Sequence, residues 1–152
     1  RLAKNTFDTL CQWLKEDDWK FDTDEDRLLV TFRAVGDDLT MNLAVQINTE
    51  LMIVSVYNYF DFEIPQNKRT AMAVAICMAN ERLHDGNFDL NLANGSMLFR
   101  MTCSFRESLL GKELMMYLVA TSCTTTDNFN DKFYDFVNDK ISFEELMAWI
   151  KK

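Results

Sequence analysis

The chain has 152 residues, 48% of them apolar and 26% charged, with only 4 Gly and a single Pro. That length can bury a core without metal or disulfide, and so little Gly and Pro argues against disorder and long linkers. A formal charge of −8 and a pI near 4.6 have the wrong sign for tracking phosphates, so neither nucleic acid nor an anionic membrane is expected as a partner.

Residues Asn5 to Glu16 place Phe7, Leu10, Cys11 and Leu14 at helical spacing, with Asn5 or Thr6 as the cap and Asp8 favourable in the first turn. The acidic stretch around Trp19 and Phe21 fits a short edge strand at Trp19 to Asp22, because charged flanks discourage edge pairing. Leu28 to Val35 then alternates as a strand and ends in the turn chemistry of Gly36-Asp37-Asp38. Leu39, Met41, Leu43, Val45 and Ile47 alternate strictly with Thr40, Asn42, Ala44, Gln46 and Asn48, the pattern of a half-buried strand. The run Leu51 to Tyr59 is apolar on both parities, with Met52, Val54 and Val56 on one side and Leu51, Ile53, Tyr57 and Tyr59 on the other. Such a strand should be covered on both faces or contact a partner.

Pro65 marks the entry to the next helix, where its missing N–H costs nothing. That helix, about Gln66 to Leu83, has no polar face from Ala71 to Ala79, which predicts burial all round: one side on the sheet, the other against a helix or a second subunit. Asp85-Gly86 turns the chain into Phe88, Leu90 and Leu92, and Asn94-Gly95 signals a type I′ hairpin returning through Met97, Phe99, Met101, Cys103 and Phe105. Beyond Gly111 the chain is helical again, with a kink or break expected at Thr124-Thr125-Thr126. Ser142 and Glu145 form a capping box for a last helix. The order α-β-β-β(β)-α-β-β-α-α indicates an α+β fold, an antiparallel sheet packed by helices in a single domain over 1–152.

No catalytic or cofactor signature stands out, and neither phosphate-cradling glycine motifs nor H-E-x-x-H occur. Cys11, Cys77, Cys103 and Cys123 are separated by 66, 26 and 20 positions, which is not zinc-ligand spacing. Free thiols among apolar residues point to a reducing, cytoplasmic compartment. The longest apolar run, Ala71 to Ala79, falls far short of the ~20 residues that span a bilayer. The first residue is Arg1 rather than Met, which leaves a trimmed start or a removed leader open. Asp22, Asp24 and Asp26 look like the opening of a calcium loop, but Arg27 and Arg33 stand where its Gly and Glu belong, so a solvated acidic edge is the better reading. His84, the single histidine, would have to serve as base in any Cys-His or Ser-His-Asp arrangement. Its place beside Asp85-Gly86 at a helix end favours capping or surface placement instead. Met72, Met78, Met115, Met116 and Met147 could line an adaptable peptide surface, though core filling is the simpler role.

The segments Ala75-Ile76-Cys77-Met78-Ala79-Asn80-Glu81-Arg82-Leu83, Gly86-Asn87-Phe88-Asp89-Leu90 and Asn94-Gly95-Ser96-Met97-Leu98-Phe99-Arg100 carry a resemblance. They are similar to the YbjN family of bacterial domains, in which an Asn near the end of the long helix precedes a Gly-x-Phe-x-Leu strand, a turn and an aromatic-Arg strand. The resemblance implies a fold like that of type III secretion chaperones, often dimeric and in bacterial cytoplasm, with a family label of sensory transduction regulator and no catalytic residues to transfer. Within it, Gly86 suits a turn with positive φ, Phe88 fills the core, Asn80 can bond backbone near the helix end, and Arg100 can pair with acids or bind a partner.

The expectation is therefore a non-enzymatic module that binds protein or peptide as a homodimer, without cofactor or metal. Leu51, Ile53, Tyr57, Tyr59, Met72, Ile76 and Arg100 are its candidate interaction surface. A secretion-type chaperone holding a client is the alternative within binding functions. A small-ligand sensor, or an enzyme using His84 with Asp85 or Glu81, is the alternative from another class. Charge distribution fits a binding module: residues 1–26 carry −4, 27–106 carry −1 and 107–152 carry −3, so acid surrounds a nearly neutral middle.

Overall fold

The computed structural model describes residues 1–37 and 39–152, so Asp38 of the expected Gly36-Asp37-Asp38 turn lies outside the described residues. The first helix, α1 (Leu2–Glu16), begins before the predicted caps. Thr6 is interior and returns its hydroxyl to the Leu2 carbonyl at 2.7 Å, while Asp8 pairs with Lys4 at 3.3 Å rather than sitting in the first turn. The buried stripe is Phe7, Leu10, Trp13 and Leu14, which leaves Cys11 only half-buried at its margin.

Six strands make one antiparallel sheet: β1 (Phe21–Asp24), β2 (Leu29–Val35), β3 (Thr40–Asn48), β4 (Ile53–Tyr59), β5 (Asn87–Leu90) and β6 (Met97–Ser104). Their spatial order is β1-β2-β3-β4-β6-β5, so the predicted edge strand is an edge, although it starts at Phe21 rather than Trp19. The alternation from Met41 to Ile47 places all four apolar side chains inward. Register then aligns Val45 with Val30 on one side and Val56 on the other, and Val56 with Met101, giving one continuous apolar face.

The four helices cover that face. α1 packs on β3, α2 (Arg69–Arg82) on β5, and α3 (Lys112–Val137) on β4 and β6; α4 (Phe143–Lys151) packs on α2 and α3. The capping box forms as expected, with Glu145 N–H donating to Ser142 Oγ and Ser142 N–H donating to Glu145 Oε1, both at 3.1 Å.

Two expectations, for β4 and α2, leave a partner as their alternative, and two others need correction. β4 is not covered on both faces: Val54, Val56 and Asn58 face the helices, whereas Tyr57 and Ile53 are half-buried among their neighbours and Tyr59 is exposed. Leu51 lies in the preceding turn, outside the strand. α2 packs on β5 and on α4 as expected, but within one chain only the stripe of Met72, Ala75, Ile76 and Ala79 is buried, leaving Val74 and Cys77 exposed. A 3₁₀ turn, Gln66–Lys68, precedes it.

The Asn94-Gly95 connection is not a two-residue hairpin. Leu90 pairs with Met97, so the loop runs from 91 to 96 and Leu92 is exposed within it. The Asn91 side chain competes for the turn by accepting from the Ala93 N–H at 2.9 Å, and Gly95 alone of the pair takes positive φ. Lastly, α3 runs unbroken through Thr124-Thr125-Thr126, its ends anchored by Met115, Leu118 and Val119 on one side and Phe133 and Phe136 on the other. Tertiary packing overrides the weak helix propensity of threonine here.

Candidate functional site: a groove beside a free strand edge

A sheet edge exposes a row of unpaired backbone donors and acceptors, which native chains usually cover or plug. The two edges here are treated differently. At β5, the Asn80 side chain of α2 accepts from the Phe88 N–H at 2.7 Å and donates to the Phe88 carbonyl at 3.1 Å. One side-chain amide thus imitates a neighbouring strand and closes that edge. Gly86 makes the approach possible: its φ is +75, and a Cβ there would meet the Phe99 ring at 2.4 Å.

Among the described residues, none plugs the β1 edge in this way. A groove of about 890 Å³ runs along it, with Phe7, Cys11, Gln12 and Lys15 of α1 as one wall and Trp19, Lys20, Phe21 and Thr23 as the other. Trp19 is fixed by an edge-on contact with Phe32 at 5.0 Å. The groove charges, Asp8 and Glu25 against Lys15 and Lys20, balance, so the lining sets the apolar Phe7, Trp19 and Phe21 among polar side chains of no net charge, beside a strand edge. Such a cleft can accept an extended chain, whose own backbone groups would complete the strand.

The residues expected to form an interaction surface fall into three places. Tyr57, Tyr59, Ile53 and Arg100 share the open sheet face: Tyr57 pairs with Arg100, and the two tyrosine rings are 6.2 Å apart. Arg100 also has an acid partner, with its Nε 2.9 Å from Asp89 Oδ2. Leu51 stands apart in the β3–β4 turn. Met72 and Ile76 are core residues, 0% and 7% exposed, and no partner reaches them without unpacking α2. The exposed side of α2 is instead Thr70, Ala73, Val74 and Cys77, which with Met78 and with Met147 of α4 line a shallow apolar groove.

His84 is exposed in the turn after α2, which counts against its use as a catalytic base. Burial pushes the Cys123 thiol up to about 11, and burial likewise raises Cys11 and Cys103, so these sulfurs are protonated near neutral pH and poor nucleophiles. Among the described residues, no group of three or more His, Cys, Asp or Glu could hold a metal ion, and no helix is long and apolar enough to cross a membrane.

The sequence model of the YbjN family, described as a "Putative bacterial sensory transduction regulator", matches residues 6–135. The chain belongs to the YbjN family. A comparison with curated protein sequences finds no match. Among solved structures, E. coli YbjN, titled "a putative transcription regulator", superposes with a TM-score of 0.60 at 13% identity, over 80% of this chain and 86% of that one. A chain of the HopA1-SchA chaperone-effector complex superposes with a TM-score of 0.56 at 14% identity, over 84% of this chain and 95% of that one. These likenesses show an α+β, secretion chaperone-like fold.

The stretch that resembles YbjN domains, Asn80 to Arg100, builds the closed edge: Asn80 plugs it, Gly86 lets the strand approach, and Phe88 anchors it. The open groove lies elsewhere and was missed in the sequence. Its visible signal was the pair Trp19 and Phe21, two large apolar side chains placed among acids on an edge strand, next to a helix whose Cys11 breaks the buried stripe.

Proposed function

We propose that this YbjN-family protein is a non-enzymatic peptide-binding module that holds an extended segment of a protein partner by strand addition along β1. The asymmetry of the two edges carries the reading: Asn80 closes β5, while β1 remains open beside a groove lined by both apolar and polar side chains. The exposure of His84 and the protonated thiols support the non-enzymatic part. A regulator that reads a partner and a chaperone that holds a client would both use such a groove. Selection from a displayed random peptide library against the full chain should return sequences with apolar residues at every second position. Cys11→Arg or Gln12→Trp, each filling the groove from α1, should weaken the selected peptide by roughly tenfold or more with the melting temperature preserved. Helical-spaced winners that still bind both variants would contradict it.

For the α2/α4 groove the occupant proposed is a second copy of this chain. Thr70, Ala73, Val74 and Cys77 recur at helical spacing and are small, so two copies of α2 can approach closely in antiparallel fashion. That arrangement also sets Glu81 against the amino-terminal end of the partner helix, where negative charge is favoured. Light scattering should give twice the 17.8 kDa chain mass, and Val74→Lys should return the monomer. A monomeric mass for the unsubstituted protein would rule this interface out.

A further inference from the structure

The face that α3 turns toward the sheet changes character along its length. Met115, Leu118 and Val119 bury apolar surface at one end, and Phe133 and Phe136 do so at the other. Between them the same face presents Ser122, Thr126 and Asn130, each at most 1% exposed, opposite the fully buried Asn58 of β4. Among the described residues, Ser122 Oγ, Thr126 Oγ1, Asn130 Oδ1 and Asn58 Oδ1 find no hydrogen-bond partner. Unmet buried polar groups weaken the packing they sit in, because each has given up water and gained nothing.

Two further observations fall on the same segment. No residue from Thr121 to Asn128 is a strong helix former, so the backbone gains little from local propensity. Among the described residues, the one side-chain hydrogen bond from the sheet to this segment is long, the Asn58 amide reaching the Ser122 carbonyl at 3.4 Å, so little from the sheet holds the segment down. The flanking halves are tied to different parts of the molecule. Lys112, in the amino-terminal half, bonds Glu16 of α1 at 3.1 Å, while Phe129 meets Trp149 of α4 at 5.2 Å and Lys68 bonds the Phe136 carbonyl at 2.6 Å.

We propose that α3 contains a hinge at Thr121–Asn128, a weak joint that lets the half holding α1 move independently of the half holding α4. The joint would couple the α1/β1 groove to the α2/α4 face when rigid and uncouple them when open. It stands on the α3 seam alone, whether or not a peptide occupies the groove. Hydrogen exchange on the full chain tests it. Amides of 121–130 should exchange roughly tenfold faster or more than those of 113–119 and 131–137. The double variant Ser122→Ala, Thr126→Val, which removes two unmet hydroxyls and keeps nearly the same volume, should erase that contrast and raise the denaturation midpoint. Equal protection across the three segments, a contrast that survives the double substitution, or a lowered midpoint would each overturn the hinge.

Discussion

Phe88→Ala is expected to lower folding stability by about 3–5 kcal/mol, measured as a shift of the chemical denaturation midpoint at unchanged slope. Phe88 is 2% exposed and is the hub of the aromatic core, with ring centroids 5.0 Å from Phe99, 5.0 Å from Phe129, 5.4 Å from Phe133 and 6.0 Å from Phe60. Truncation opens a void between sheet and α3, and the surrounding rings cannot close it without abandoning their edge-on contacts. The same position carries the backbone groups that Asn80 plugs, so loosening the ring also loosens the closed edge. An increased tendency to associate should accompany the lost stability, because a freed β5 becomes a second pairing edge. A cost below about 1 kcal/mol would show that the core is organised around something else.

Gly95→Ala should be nearly as damaging, costing about 2–5 kcal/mol through positive-φ strain and forced displacement of the loop. Gly95 has φ +80, and a Cβ there would stand 2.2 Å from the Ile64 carbonyl oxygen and 2.9 Å from Arg69 Nε. Neither neighbour can give way cheaply. Ile64 is fully buried, its N–H donates to the Gly95 carbonyl at 2.8 Å, and its carbonyl accepts from Arg69 at 2.9 Å. Arg69 in turn donates to the Ala93 carbonyl at 3.1 Å, so the guanidinium fastens the 91–96 loop to the start of α2. Displacing Gly95 breaks this clamp as a unit, and thermal denaturation should show the loss directly. Asn94→Ala tests the alternative of a type I′ turn: it should cost far less, since Asn94 has no positive φ to defend.

The strand alternation was legible because β3 is packed on one face only, where period-two patterning is physically enforced. The capping box was legible because its two bonds are local. Within one chain α2 buries only a stripe, because alanine counts as apolar in a pattern yet loses little by exposure; the alternative of a second subunit on its other side is the one the proposed dimer takes up. The threonine run in α3 was misread because propensity is weak beside the anchoring of both helix ends by core side chains. Of the interaction residues chosen from strand parity, Tyr57, Tyr59 and Arg100 lie together on the open sheet face. Met72 and Ile76, drawn from the same reasoning about apolar surface, are packed inside. The groove itself left almost no pattern, since concavity depends on how α1, packed on β3, stands relative to β1 and not on any spacing along the chain.

The most direct measurement of the central claim is amide exchange of the full chain saturated with a library-selected peptide. Strand addition predicts that the amides within Phe21–Asp24 that face away from β2 slow by roughly tenfold or more on binding, while Phe88, already satisfied by Asn80, does not change. Unchanged β1 amides, with new protection appearing on α2 and α4 or across the Tyr57 face, would contradict the assignment of β1 as the peptide-binding edge.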